Sequence, residues 1–167
     1  KIEALTQELV QMRKTSPGSK AIVFSQFINM LDLIRWRLHS DPFLSELGLG
    51  FCALHGGMNI KARDATLTSF REDPNVRVLL MSLKAGGVAL NLTCANYIYL
   101  MDPWWNPAAE LQAIDRTHRL GQHRPIRAVR FIAENTVEER ILQLQEKKQL
   151  VFDGTVGRDT GSLKMLT

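Results

Sequence analysis

The chain has 167 residues, 45% of them hydrophobic and 23% charged, which suits one globular domain with one good core. No apolar run approaches the roughly 20 residues that span a bilayer, no basic-then-apolar segment stands at its start, and two cysteines, Cys52 and Cys94, indicate neither a disulfide framework nor a cysteine-rich zinc site, so a reducing intracellular compartment is expected. The net charge of +4 is focused: residues 112–130 hold Arg116, Arg119, Arg124, Arg127 and Arg130 against Asp115 alone, and the rest of the chain is neutral, a concentration that points to a polyanion although a charge run by itself is more often a solvated face.

Ile2, Leu5, Leu9 and Met12 recur at helical spacing and predict a helix over 2–15, which Ser16-Pro17-Gly18-Ser19 breaks. The apolar run over 21–24 reads as a strand buried on both faces. A helix over 27–39 follows, with Ile28, Leu31, Ile34 and Leu38 inward, and Asp41-Pro42 ends it. Residues 51–54 predict a second strand, followed by His55-Gly56-Gly57. Asn59 caps a helix to about Arg71, and Asp73-Pro74-Asn75 turns the chain. Residues 76–81 predict a third strand, 84–87 a flexible loop with two glycines, and 95–101 a fourth strand.

Asn106-Pro107 is a good helix start, since Asn caps and Pro tolerates the first helical position. On that helix Gln112, Arg116 and Arg119 fall at i, i+4 and i+7 and share one face, while Leu111, Ile114 and His118 project from a face that packs inward. Residues 126–132 predict a fifth strand. Thr136-Val137-Glu138-Glu139 has capping-box spacing and opens a last helix through Leu150, and the tail over 153–167 is expected to be flexible. Strands alternating with helices imply an α/β fold with a parallel sheet covered on both faces, the strand order being left open. Functional loops in such sheets gather at the strand carboxyl ends, where Ser25-Gln26-Phe27, His55-Gly56-Gly57, Ser82-Leu83-Lys84 and Asp102-Pro103-Trp104 all fall.

Three of these segments carry chemistry. The loop over 82–93 has glycines that let backbone approach a ligand, with Ser82 and Lys84 able to reach phosphates, but no GxxxxGK[ST] phosphate loop occurs in the sequence. Asp102-Pro103-Trp104-Trp105-Asn106-Pro107 holds two Trp rings in a loop stiffened by two prolines; core packing is the commoner fate of such rings, stacking on a base the alternative. The Gln112–Gln122 stretch presents guanidinium forks, which suit phosphate oxygens. No histidine has a metal-spaced partner, and Ser25 has no adjacent base, so nucleophilic catalysis is not expected. Each feature alone would be bland; their conjunction within about 50 residues is not.

Together these residues resemble the second RecA-like lobe of SWI/SNF-type DNA translocases of helicase superfamily two. Lys20–Phe27 resembles motif four, Leu54–Met58 the element after the next strand, Ser82–Thr93 motif five, Asp102–Pro107 and Gln112–Gln122 the tryptophan element and motif six, and Asn135–Ile141 the brace helix over 136–151 that returns to the first lobe. Asp115, the double Trp and Phe152–Gly157 resemble the repair branch that includes helicase-like transcription factor and the global-genome repair translocases, whose members often carry a RING finger; Ala89 departs from a Gly common in motif five.

The resemblance implies a RecA-like, doubly wound lobe over 1–152. It implies that Arg116 and Arg119 act as arginine fingers on ATP held, with Mg2+, mainly by the other lobe, and that Gln112 orders water or nucleotide. Gly87 and Asn91 would lie near the ribose. Ser25, Gln26, Gly56, Ser82, Lys84 and Trp105 would line a track for double-stranded DNA, with nucleosomes as a candidate partner, and the site of action would be the nucleus. The chain alone is expected to be inactive, since it lacks a Walker loop and a magnesium-binding Asp-Glu box. Rival expectations are a non-enzymatic DNA-binding or interaction module, an RNA-dependent helicase lobe, and a nucleotide-sugar transferase lobe.

Overall fold

A strand that is apolar at every position needs cover above and below, and this requirement organises the whole chain. The computed structural model describes residues 1–82 and 90–156, with side chains through Leu150. Its elements run α1 (Ile2–Thr15), β1 (Ala21–Ser25), α2 (Ile28–Ser40), α3 (Pro42–Glu46), β2 (Gly50–Leu54), α4 (Ile60–Glu72), β3 (Val76–Ser82), β4 (Tyr97–Leu100), α5 (Pro107–Asp115), β5 (Arg127–Arg130) and α6 (Val137–Val156). The strands form one sheet in the order β2-β3-β1-β4-β5, parallel at every pairing. This is the doubly wound α/β architecture expected from the alternation.

Strand periodicity sorts the core into two layers. Ile22 lies opposite Leu79 and Ile98, and Val23 opposite Leu80 and Tyr99. Ile22, Phe24, Leu79, Met81, Ile98 and Leu100 pack with Phe70 of α4 and Ala113 of α5. Ala21, Val23, Val78, Leu80 and Tyr99 pack with Leu5, Leu9 and Met12 of α1 and Leu31, Ile34 and Leu38 of α2. Each of the Val, Leu, Ile, Phe and Met side chains among these stabilises by about 1.5–3 kcal/mol when fully buried, so a one-residue slip in β1 would send its side chains to the wrong layers.

Several boundaries differ from the sequence expectation. Ile28, the first residue of α2, is 58% exposed, so of the expected face only Leu31, Ile34 and Leu38 are buried. The Asp41-Pro42 break also starts α3, with Asp41 accepting from the Phe43 amide at 2.9 Å and Pro42 in the first turn; Leu44 is thereby buried. β4 and β5 are shorter than expected. At the start of α6 the Thr136 hydroxyl accepts from the Glu138 amide at 3.2 Å, but Glu138 rather than Glu139 reaches back, to the Ala133 amide at 2.8 Å. α6 itself continues past Leu150 to Val156, so residues 153–156 of the expected tail are helical, and 157–167 lie outside the described residues.

Lys20, in the segment resembling motif four, is buried. Its ammonium donates to the carbonyls of Phe70 and of Asp73 (2.7 Å) and sits 5.3 Å from the Phe70 ring centroid. It thus satisfies carbonyls at the C-terminus of α4, where a cation also suits the helix dipole. Burial, the largest influence, lowers its pKa.

Gly50 opens β2 at a register shift against β3. A Cβ there would stand 2.2 Å from the Asn75 carbonyl oxygen, and backbone cannot easily yield. Gly50→Ala is expected to cost roughly 1–3 kcal/mol, as overpacking does, read as a lowered denaturation midpoint with the far-UV spectrum of the folded state retained; an unchanged midpoint would refute the steric account.

Candidate functional site

Because all strands are parallel, their carboxyl ends meet on one rim. There Ser25 pairs with Ser82, and the Met101 amide donates to the Phe24 carbonyl at 2.9 Å, carrying the chain on into Asp102. This carboxylate is 3% exposed. One oxygen accepts from the Ser25 hydroxyl at 2.5 Å and the other from the Gln26 amide at 3.0 Å. Burial pushes its carboxyl above the usual range, and the Ser25 and Gln26 bonds oppose that.

The Ser25 hydroxyl also accepts from the Phe27 amide at 3.0 Å, so this fully buried side chain is an internal tie rather than a surface contact. Ser82 is likewise buried. Gln26 is half-buried, its amide nitrogen 3.5 Å from the Pro103 carbonyl, whereas Gly56 is exposed with open space around it. Lys84 and Gly87, with the rest of the loop over 83–89, lie outside the described residues.

The two tryptophans part company. Trp104 is half-buried and Trp105 exposed, so neither of the sequence alternatives holds for both. Their backbone is gripped from two helices. Glu110 of α5, 2% exposed, accepts from the Trp104 amide at 3.0 Å and from Gln145 of α6 at 3.1 Å through one oxygen, and pairs with Arg130 of β5 at 2.6 Å through the other. Gln145 also donates to the Trp104 carbonyl, and Lys148 donates to the Trp105 carbonyl at 3.0 Å. Asn106 caps α5 as expected, accepting from the Ala108 amide at 3.1 Å.

The arginine segment departs from the expected single helical face. α5 ends at Asp115, Arg116 is its C-cap, and residues 116–121 form turns and bends. Gly121, at φ +100°, takes a backbone conformation that side chains disfavour. The packed face is Glu110, Ala113 and Thr117, with Ile114 half-buried, while Leu111 and His118 are exposed. The inward stripe lies one position away from the one apolar character suggests, because buried Glu110 and Thr117 find partners: the Thr117 hydroxyl donates to the Ile114 carbonyl at 2.7 Å.

Gln122 fastens this segment. Its amide nitrogen donates to the carbonyls of Ala95 (2.7 Å) and Thr93 (3.1 Å), its oxygen accepts from the Arg124 amide at 3.1 Å, and the Leu92 amide donates to the Arg116 carbonyl at 3.0 Å. Residues 92–95 precede β4, so the arginines stand at the amino end of that strand and the Trp loop at its carboxyl end, with α5 between. Neither Glu110 nor Gln122 was singled out from sequence; a buried Glu within an apolar period and a Gln beside a Gly turn were the available signals.

Arg116 is half-buried, and burial first, then the like charge of Arg119, lower its pKa. A guanidinium held in this way favours an incoming anion. Arg119 is exposed, its Nε donating to the Asp115 carbonyl at 3.2 Å. Gln112 is exposed, as is Asn91, whose side chain accepts from the Thr93 amide at 3.1 Å. Of the other arginines in the basic run, Arg127 pairs with Glu8 at 3.1 Å and Arg130 with Glu110, which reduces the charge open to a polyanion. Among the described residues no group of three His, Cys, Asp or Glu could hold a metal, and no helix is long and apolar enough to cross a membrane.

Residues 1–121 match the family model described as the helicase conserved C-terminal domain. The chain is 49% identical over its whole length to the ATP-dependent helicase rhp16 of Schizosaccharomyces pombe, covering 19% of that protein, and 45% identical over 96% of its length to the DNA repair protein rad8 of the same organism, covering 14% of it. It therefore spans a fifth or less of the length of these relatives. Among solved structures it is similar to the C-terminal part of the Fun30 ATPase domain, with a TM-score of 0.75 at 30% identity, covering 86% of this chain and 44% of that one. With its parallel sheet, its Trp loop and its arginine segment, the chain belongs to the helicase conserved C-terminal domain family, as a second RecA-like lobe of the SWI/SNF-type helicases of the repair branch.

Proposed function

We propose that this chain is the C-terminal lobe of an ATP-dependent double-stranded DNA translocase that acts in DNA repair or chromatin remodelling in the nucleus. The observation that carries the proposal is Arg116: a half-buried guanidinium beside Arg119, its backbone anchored to Leu92. In this reading Arg116 and Arg119 are arginine fingers that stabilise charge on the transferring phosphoryl of ATP. The nucleotide and its Mg2+ are held mainly by a first RecA-like lobe, and nucleosomes are a candidate form of the duplex.

Gln112, exposed one turn before Arg116, orders the attacking water or the nucleotide, and Asn91 with Gly87 lies near the ribose. On the opposite rim, Trp105, Gln26 and Gly56 follow the duplex backbone, which positions without reading sequence, and Lys84 is proposed for the same contact. Ser25 and Ser82 support that rim from inside, Ser25 through its bond to Asp102. A binding module without hydrolysis is less well supported, because Arg127 and Arg130 of the basic run are already ion-paired.

In a protein that joins this lobe to the first, Arg116→Ala and Arg119→Ala are each expected to lower duplex-stimulated ATPase by roughly 10³- to 10⁵-fold, with duplex binding kept; retained hydrolysis in both would favour the binding module. The isolated chain is expected to hydrolyse no ATP in a phosphate-release assay, and turnover that Arg116→Ala abolishes would refute this. Trp105→Ala is expected to weaken duplex binding by about 1–3 kcal/mol if the ring stacks on a base or sugar, measured by titration at fixed salt; duplex DNA stimulating no better than RNA would indicate an RNA-dependent lobe.

A further inference from the structure

We infer that Glu110 is a positioning residue that couples the Trp loop to the arginine segment, so that duplex contact at one end of α5 sets the arginines at the other. The inference rests on the finger and DNA assignments above. Its basis is geometric. A single buried carboxylate accepts from the Trp104 amide and from Gln145, and pairs with Arg130. These partners belong to the Trp loop, α6 and β5, so three neighbouring elements converge on one side chain of α5.

α5 is a helix of nine residues, about 13 Å long at 1.5 Å per residue, and it acts as a short rigid rod. Glu110 lies in its first turn and Arg116 at its C-cap. The far end is hydrogen-bonded to residues 92–95 through the Leu92 amide and Gln122, so a displacement of α5 shifts the arginine segment against those residues. A shift of the Trp loop therefore cannot be absorbed locally: it breaks the bonds to Glu110 or moves α5. Trp105 is exposed on this loop, and its carbonyl is held by Lys148 of α6, so a load on that ring reaches α5 and α6 together. Breaking a buried charge pair by removing one partner is disfavoured, which makes movement of α5 the easier response.

The test uses a protein in which this lobe is joined to the first, and measures ATPase with and without duplex together with the duplex concentration giving half-maximal stimulation. Glu110→Ala is expected to reduce the duplex-stimulated kcat by roughly 10- to 100-fold, the cost of misplacing a positioned group by about 1 Å, and to collapse the ratio of stimulated to unstimulated rates. Glu110→Gln keeps an acceptor for the Trp104 amide but leaves Arg130 facing an amide, and is expected to lose part of the ratio. The double variant Glu110→Gln with Arg130→Gln is expected to recover it, as coupled neighbours do. Should Glu110→Ala fail to give a cooperative melt, the Gln variants carry the test.

A ratio unchanged in both single variants, or both rates falling by the same factor, would overturn the inference, the second outcome marking Glu110 as mere packing. A double variant no better than Glu110→Gln would do the same. Arg116→Ala run alongside separates the two levels. If it retains hydrolysis, the finger assignment fails. If it abolishes hydrolysis while Glu110→Ala keeps the full ratio, only the coupling fails.

Discussion

A strand buried on both faces has no side chain left for chemistry. β1 is the extreme case, buried from Ala21 to Ser25, and it sits at the centre of the sheet order. Everything reactive is therefore displaced to the strand ends and to the elements that follow them. Even Ser25, at the last position of the strand, is turned inward and bonded to Asp102. The same constraint explains why the Trp loop begins with a buried carboxylate: Asp102 closes the end of the β1–β4 pair before the chain can leave the sheet.

Two buried carboxylates then hold one loop. Asp102 ties its start to the β1 end through Ser25 and Gln26, and Glu110 ties its middle to α5, α6 and β5. Buried charge is costly unless it is paired and fully hydrogen-bonded. Burial raises the Asp102 carboxyl and its hydroxyl and amide donors oppose that, whereas Glu110 is ion-paired with the Arg130 guanidinium. The loop's prolines stiffen it locally, but the grip on the Trp104 and Trp105 carbonyls comes from Gln145 and Lys148 of α6. Trp105 is exposed as a consequence of how its backbone is held.

Charge is treated differently along the basic run. Arg127 and Arg130, on the edge strand β5, meet Glu8 and Glu110. Arg116 lies near Arg119, and burial first, then the like charge of Arg119, lower the Arg116 pKa. Pairing quiets one part of the run, and crowding primes the other for an anion.

Much of this was legible in the residues. The apolar runs, the Asn59 and Asn106 caps and the Gly–Pro breaks specify every helix and strand among the described residues but the short α3, because burial periodicity and capping are local physics. The motifs identify the Trp loop and the arginine stretch. What the sequence could not specify was anything that depends on partners far along the chain. Leu111 and His118 were assigned inward and Glu110 was passed over, since a carboxylate is buried only where Arg130, Gln145 and the Trp104 amide converge on it. Gln112, Arg116 and Arg119 shared a face only on the premise of an unbroken helix, and Gln122 together with Gly121 ends that helix by fastening the chain to residues 92–95. Local patterning determined which elements form; long-range hydrogen bonds and ion pairs decided which polar side chains turn inward.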